Sequence, residues 1–432
     1  MFDQNGLSLD QAPPIGVVFG LFFMGAIFGV LSGVAILYYG ADILSPYTTG
    51  AVVFTHIMTL GVMLSFMLGA LFQMLPVIAG VVISGPIRKA RPIVGMVAVG
   101  VVSLLAGFIW GAPWSFIIAS VLLGGAIFHT TAMMIPRLYR LTNHSASSRG
   151  MLISLIALLI TGVFALLLTT AMGGLWDGVG MLYMDVKETH YSFGIFGWVA
   201  TLIISISFQT VEMFYVTPPY PKFMSRYLPS FILLALVVGA IFSMLHLTIA
   251  WVGIEILIAI MLILYSITTL HRIQKRKRPL TDATVLFWYL GMGSLLVSMI
   301  LLLSNFWIHS ESIAQIVMVL YGSFALSVLF AMFYKIVPFL TWFHLNSQGY
   351  FTAPMMHEVI HPKNAKKHLW VHISLLVSFI IGISIHQVLI LSGVLAIASF
   401  GTIAYHIYHA HTLYRDTQAN GEKFEFDMPT MN

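Results

Sequence analysis

The stretch FTHIMTLGVMLSFMLGALFQMLPVIAG, residues 54–80, contains no charged side chain and has one histidine, His56, near its start. An apolar run of about 18 or more residues is long enough to cross the hydrocarbon core of a bilayer. The stretch therefore predicts a membrane-spanning helix. An ionisable side chain inside such a helix is expensive and points to a functional site, so the first question is what His56 binds.

The composition of the whole chain indicates the same class of protein. Of 432 residues, 59% are hydrophobic and 8% are charged, whereas soluble domains carry about 25% charged residues. The absence of cysteine excludes disulfides, thiolate-bound clusters and haem attached through a CxxCH motif. We predict an all-α, polytopic membrane bundle of twelve helices that forms a single domain over residues 1–432. The predicted spans are 14–40, 50–84, 92–111, 114–138, 150–174, 190–216, 227–248, 249–270, 282–304, 313–344, 367–387 and 390–414.

The basic residues predict how the bundle lies in the membrane. All 20 lysines and arginines except Lys187 and Lys335 fall in or beside the loops that follow even-numbered spans. Basic loops stay on the cytoplasmic side, so both termini are predicted to be cytoplasmic. The protein is expected in a bacterial-type inner membrane, in contact with lipid. The net charge of +5 reflects this bias and gives no indication of nucleic-acid binding.

A weak repeat connects the second, sixth and tenth spans. The segments GALFQMLP (69–76), SISFQTVEMF (205–214) and FAMFYKIVPF (330–339) each place an aromatic residue before Gln73, Gln209 or Tyr334. The interval of four spans indicates three similar four-helix arcs. Gly, Phe and Pro are also common in membrane helices, which is the simpler interpretation of the pattern.

Four histidines are predicted at the outer ends of separate spans: His56, His190, His246 and His386. Haem iron takes an axial ligand from each side, and small residues must separate the helices to admit the porphyrin. His56 and His190 both follow a threonine and precede a glycine, Gly61 or Gly194. They are the leading haem-ligand candidates, and His246 and His386 are candidates for a second site or for copper. The alternatives are ordinary interhelical hydrogen bonds or a wet interface.

Other histidines give weaker signals. His129 lies deep in the fourth span and is either a second site or a hydrogen-bonded core residue. His406 lies near a cytoplasmic end and is predicted to be interfacial. The segment HEVIH, 357–361, matches a zinc-protease pattern, but Pro362 follows at once and a zinc site needs a stable helix through both histidines. We interpret this match as a coincidence.

Two charges and several methionines lie within the spans. Glu212 and Lys335 occupy matching places in the repeat, which predicts an ion pair or, alternatively, a proton relay. Met63 and Met67 lie one turn apart, and their thioethers could pass copper(I) between them. Methionine is also a common filler of apolar helices, and we favour that interpretation.

The stretch THYSFGIFGWVATLIISISFQTVEMFYVTPPYP, residues 189–221, resembles the histidine-rich core helix of the haem-copper oxidase superfamily. The resemblance is to its nitric oxide reductase and cbb-type branches, and among them to the NnrS-like membrane proteins. The second span of that superfamily carries a haem-ligating histidine near the outer face, where His56 lies. The resemblance implies a b-type haem, with copper as a further metal, and a role in nitric oxide or redox handling with a gaseous or redox ligand.

Departures from the superfamily pattern limit this implication. The His-x-His pair is reduced to His190-Tyr191-Ser192, the seventh span has the single His246, and the outer half of the tenth span has no histidine. An oxygen-reducing haem-copper centre cannot be built from these residues. The resemblance therefore implies haem more strongly than turnover, and it leaves any electron-donor protein unidentified. The competing hypothesis is a transporter, of copper for example, that uses histidine and methionine positions as a relay.

Overall fold

The structure, a computed structural model, describes residues 13–176 and 180–423. The two ends of the chain, whose side of the membrane is predicted above, lie outside the described residues. The described part contains twelve helices long and apolar enough to cross a membrane, as predicted. In chain order, α1 to α12 are Ile15–Leu44, Thr49–Ala79, Pro86–Trp110, Pro113–Tyr139, Ala146–Met172, Tyr183–Tyr215, Lys222–Met244, Thr248–Gln274, Ala283–Ile308, Glu311–Ser347, Pro362–Ser384 and His386–Asn420.

Several helix ends differ from the predicted boundaries by a few residues. At two of them a backbone turn, and not loss of apolarity, ends the helix. Helix α2 ends at Ala79, before the predicted residue 84, because Gly80 adopts a left-handed conformation with φ 66°. Helix α7 ends at Met244, and His246 turns the chain with φ 54° before α8 begins at Thr248. The predicted boundary between residues 248 and 249 is therefore a few residues too late.

Three helices form the centre of the bundle. The most apolar windows of α2, α6 and α10 are 78%, 72% and 78% buried, more than those of any other span. These are the three spans that the sequence repeat identified. The other helices surround them in chain order, with α3 against α4, α4 against α5, α8 against α9, and α12 packed on both α11 and α1. We call the end of the bundle that carries the loops with Arg88, Lys222 and Lys275 the basic face.

Two of the central helices contain a π-helical segment. In α2 it covers Ile57–Leu64 and begins directly after His56; in α6 it covers Phe193–Ala200 and begins three residues after His190. A π-helix frees backbone carbonyls from the α-helical pattern and often marks a functional site. In α6, the freed carbonyl of Ile195 accepts a hydrogen bond of 2.7 Å from the hydroxyl of Tyr321 in α10.

Candidate functional site

The structure brings His56 and His190 together near the end of the bundle opposite the basic face. Both imidazoles are half-buried, and they are close enough to interact electrostatically. The ring of Phe108, from α3, lies 5.1 Å from the ring of His56. The two imidazoles therefore lie between the central helices α2 and α6, on the side where α3, α4 and α5 pack.

Each of the two imidazoles has one nitrogen fixed and one nitrogen free. Nδ1 of His56 donates to the carbonyl of Val52 at 2.8 Å, and Nδ1 of His190 donates to the carbonyl of Thr161 at 3.1 Å. A carbonyl can only accept, so Nδ1 carries the proton and Nε2 presents a lone pair. No described residue hydrogen-bonds either Nε2. This is how metal-ligating histidines are usually held, with the second nitrogen bound to a carbonyl, carboxylate or water.

The small residues beside the pair do not all provide the expected clearance. A Cβ added to Gly61 would lie 2.6 Å from the ring of Phe28 in α1. This glycine therefore makes room for α1, and the expectation that it makes room for a porphyrin is wrong. Beside His190, a Cβ on Gly194 would meet only Thr161, at 3.4 Å. The space beside Gly194 is therefore the more open of the two, and two imidazoles with free Nε2 atoms are the type of donor that haem iron takes.

His246 and His386 do not join this site. His246 lies exposed in the turn between α7 and α8, and His386 lies exposed at the start of α12. Both positions are at the end of the bundle that holds His56, as predicted. Both side chains are exposed, and the hypothesis that they serve a second site or bind copper stays a prediction.

The predicted ion pair between Glu212 and Lys335 is also wrong. Lys335 donates to Oδ2 of Asp282 at 2.7 Å, where Asp282 caps the first turn of α9. Oε1 of Glu212 instead accepts from the backbone N–H of Tyr220 at 2.8 Å, and its charge interacts with that of Arg272. The loop after α6 folds back over Glu212 and supplies its hydrogen-bond donor. Lys335 pairs instead with the carboxylate of Asp282 at the start of α9.

The remaining sequence candidates have structural roles or isolated positions. In the HEVIH segment, Glu358 accepts from the N–H of Met355, and His361 caps α11 by accepting from the N–H of Lys363. His129 is half-buried, and its Nε2 has no partner among the described residues. Within residues 13–176 and 180–423, no group of three or more His, Asp or Glu side chains is placed to hold a metal ion.

The methionines of α2 line an apolar cavity in the centre of the bundle. The cavity has a volume of about 30 Å³ and opens no polar passage, since only apolar side chains surround it. Apolar walls offer a water molecule no hydrogen-bond partner, so a space of this kind disfavours water. Its walls come from α2, α6, α9 and α10 and include Met67, Met74 and Met332.

A second group of buried histidines, not predicted from the sequence, lies between α10, α11 and α12. His368 and His372 of α11 and His406 of α12 are 1%, 2% and 4% exposed. His406 was predicted to be interfacial, which is wrong, because α12 continues well beyond it to Asn420. The spacing of four between His368 and His372, which puts both on one helix face, was the available signal.

The fold defines the chain as a multi-pass, all-α membrane protein with two separate groups of imidazoles in its interior, one half-buried and one buried. No protein-family model and no curated protein matches the sequence. The functional conclusion therefore rests on the two sites themselves.

Proposed function

We propose that the protein is a membrane haem protein in which His56 and His190 hold a b-type haem, and that it serves nitric oxide or redox handling. The observation that carries the proposal is the pairing of two imidazoles on central helices, each with Nδ1 fixed by a backbone carbonyl and Nε2 free. The resemblance of residues 189–221 to haem-copper oxidase core helices supports it. With the orientation that the basic loops predict, the site lies in the periplasmic half of an inner membrane.

The residues around the site have separate tasks. Val52 and Thr161 orient the two rings and raise the basicity of the free nitrogens, as carbonyl partners of ligating histidines do. Phe108 packs against His56 and helps to keep water away. When bound, a haem supplies an iron that exchanges electrons and binds small gases. If both imidazoles held the iron, the site would suit electron exchange better than the binding of a gas; if one of them held it, a gas could bind as well.

The test is haem loading of histidine variants. The full chain is produced with a haem precursor, purified in detergent, and assayed by its Soret band and pyridine haemochrome. We expect b-type haem in the unaltered protein. The band should be lost or shifted in His56→Ala and in His190→Ala, while both variants still insert into the membrane.

Three matched controls are available. His246→Ala and His386→Ala remove exposed imidazoles at the same end of the bundle, and His129→Ala removes a half-buried one elsewhere. All three should keep the spectrum of the unaltered protein. A protein that purifies colourless and takes up no added haem would refute the proposal and favour the transporter hypothesis. An unchanged spectrum in His56→Ala would show that His56 is only a hydrogen-bonded core residue.

A further inference from the structure

His368 and His372, which we call the α11 histidine pair, are buried and take no part in the haem site proposed above. Nε2 of His368 hydrogen-bonds to Oγ of Ser399 in α12 at 2.8 Å, and Nε2 of His372 hydrogen-bonds to Oγ of Ser327 in α10 at 3.0 Å. Nδ1 of both residues is buried and has no partner among the described residues. A buried polar atom without a hydrogen-bond partner destabilises the folded state, so two on adjacent turns need an explanation.

His368 and His372 are four residues apart, so the two rings lie on adjacent turns of one helix face. Each Nε2 is held by a serine hydroxyl, one on α12 and one on α10. When Nε2–H donates to the serine oxygen, Nδ1 carries the lone pair that a metal ion needs. The two rings also interact electrostatically. The α11 histidine pair thus presents two anchored imidazoles, each with a free nitrogen.

The surroundings of the pair are aromatic. The ring of Phe330 lies 4.7 Å from His368 and 5.2 Å from His372, and the ring of Phe287 lies 5.7 and 6.0 Å from them. Aromatic faces attract a cation and exclude water. The neighbouring bond between Tyr334 and Nδ1 of His406, 3.4 Å long, is not joined to the pair by any hydrogen bond among the described residues. The arrangement is therefore closer to a closed cation site than to a proton relay.

We propose that the α11 histidine pair binds a single copper(I) ion through the two Nδ1 atoms. Imidazole is a good ligand for zinc, iron and copper ions, but structural zinc takes four ligands, and the described residues offer no third donor at hand. Copper(I) accepts two ligands in a line. The cost of burying an ion also rises with the square of its charge, which favours a monovalent ion in this apolar interior. The site is independent of the haem proposed above.

The experiment is a copper(I) titration of the full chain in detergent under a reductant, against a chromogenic copper(I) chelator, after prior removal of metal. One copper(I) per chain is expected, and X-ray absorption should show nitrogen neighbours only. His368→Gln and His372→Gln are matched variants, because a glutamine amide can keep the hydrogen bond to serine while the Nδ1 position is removed. Either variant should lose the bound ion. Ser399→Ala and Ser327→Ala should weaken binding about 10- to 100-fold.

Copper binding by the unaltered protein should also raise its melting temperature, since a ligand that binds only the folded state stabilises it. His56→Ala should bind copper(I) as the unaltered protein does. The proposal is overturned if the unaltered protein binds none, or if the glutamine variants bind as well as it does. Sulfur neighbours in the absorption spectrum would overturn it too, because they would place the ion at thioethers such as Met63 and Met67.

Discussion

The ion pair between Lys335 and Asp282 allows a quantitative test of how charge is held at the basic face. The two side chains are 17% and 31% exposed, and their charged atoms are 2.7 Å apart. Breaking a fully buried pair costs about 3–5 kcal/mol, and a charge-assisted hydrogen bond contributes about 1.5–3 kcal/mol. Because water reaches part of both groups, we expect Lys335→Met to lower the free energy of unfolding by about 2 kcal/mol.

The partner variant is Asp282→Asn. Asparagine caps a helix about as well as aspartate does, so the bond from the N–H of Val285, 3.1 Å long, should survive. The loss then reports the missing charge opposite Lys335, again about 2 kcal/mol by the same reasoning. In the double variant neither charge is left unpaired, and a coupling energy of about 1–2 kcal/mol should be recovered, within the range that contacting residues show.

The assay is equilibrium unfolding in mixed micelles by increasing dodecyl sulfate, followed by tryptophan fluorescence. The control is Glu212→Gln combined with Lys335→Met. Glu212 bonds to the loop at Tyr220 and not to Lys335, so these two changes should add to within about 0.5 kcal/mol. Additivity of the Lys335 and Asp282 changes, or coupling of Lys335 to Glu212, would show that the pairing described here is incorrect.

Two further predictions concern packing and pH. A Cβ on Gly29 would lie 2.1 Å from the buried ring of Phe400. Gly29→Ala should therefore lower the free energy of unfolding by about 1–3 kcal/mol through overpacking. The control is Gly20→Ala, where a Cβ would meet nothing within 4 Å, and it should leave the free energy of unfolding unchanged in the same assay. Burial raises the pKa of Asp282, but the charge of Lys335 and the hydrogen bonds to the carboxylate lower it more, and the net pKa is below its usual value. The folded state therefore favours the carboxylate. The stability it contributes is present above the unfolded pKa of about 3.9 and is lost as the pH falls through the lower folded pKa. Acid-unfolding profiles should show this loss in the unaltered protein and not in Asp282→Asn.

The candidate haem site was predictable because it lies on the most regular features of the sequence. His56 and His190 occupy matching positions of two apolar runs, and these runs form central helices. The backbone partners of their rings could not be predicted. Val52 is one turn earlier in the same helix, but Thr161 is 29 residues from His190 in sequence and is brought to it only by the packing of α5 on α6. The π-helices leave no obvious mark in the sequence.

The errors have physical causes that the sequence alone does not reveal. His246 and His386 were placed at the correct end, but their exposure depends on where the helices end: His246 lies in the turn between α7 and α8, and His386 is the first residue of α12. His368 follows Lys366 and Lys367, so the sequence alone would place it at a wet helix end. Helix α11 begins at Pro362, early enough to carry it into the interior.

The π-helical segments at 57–64 and 193–200 also make the lengths of α2 and α6 critical. Each segment fixes the rotation of the half-helix that holds an imidazole relative to the half that lines the central cavity. Deleting one residue there would return the segment to the α-helical hydrogen-bond pattern and remove its free carbonyls, such as that of Ile195, which accepts from Tyr321. Single-residue deletions should be far less tolerated at these two places than in the loops between helices, although neither segment contains a charged side chain or a histidine.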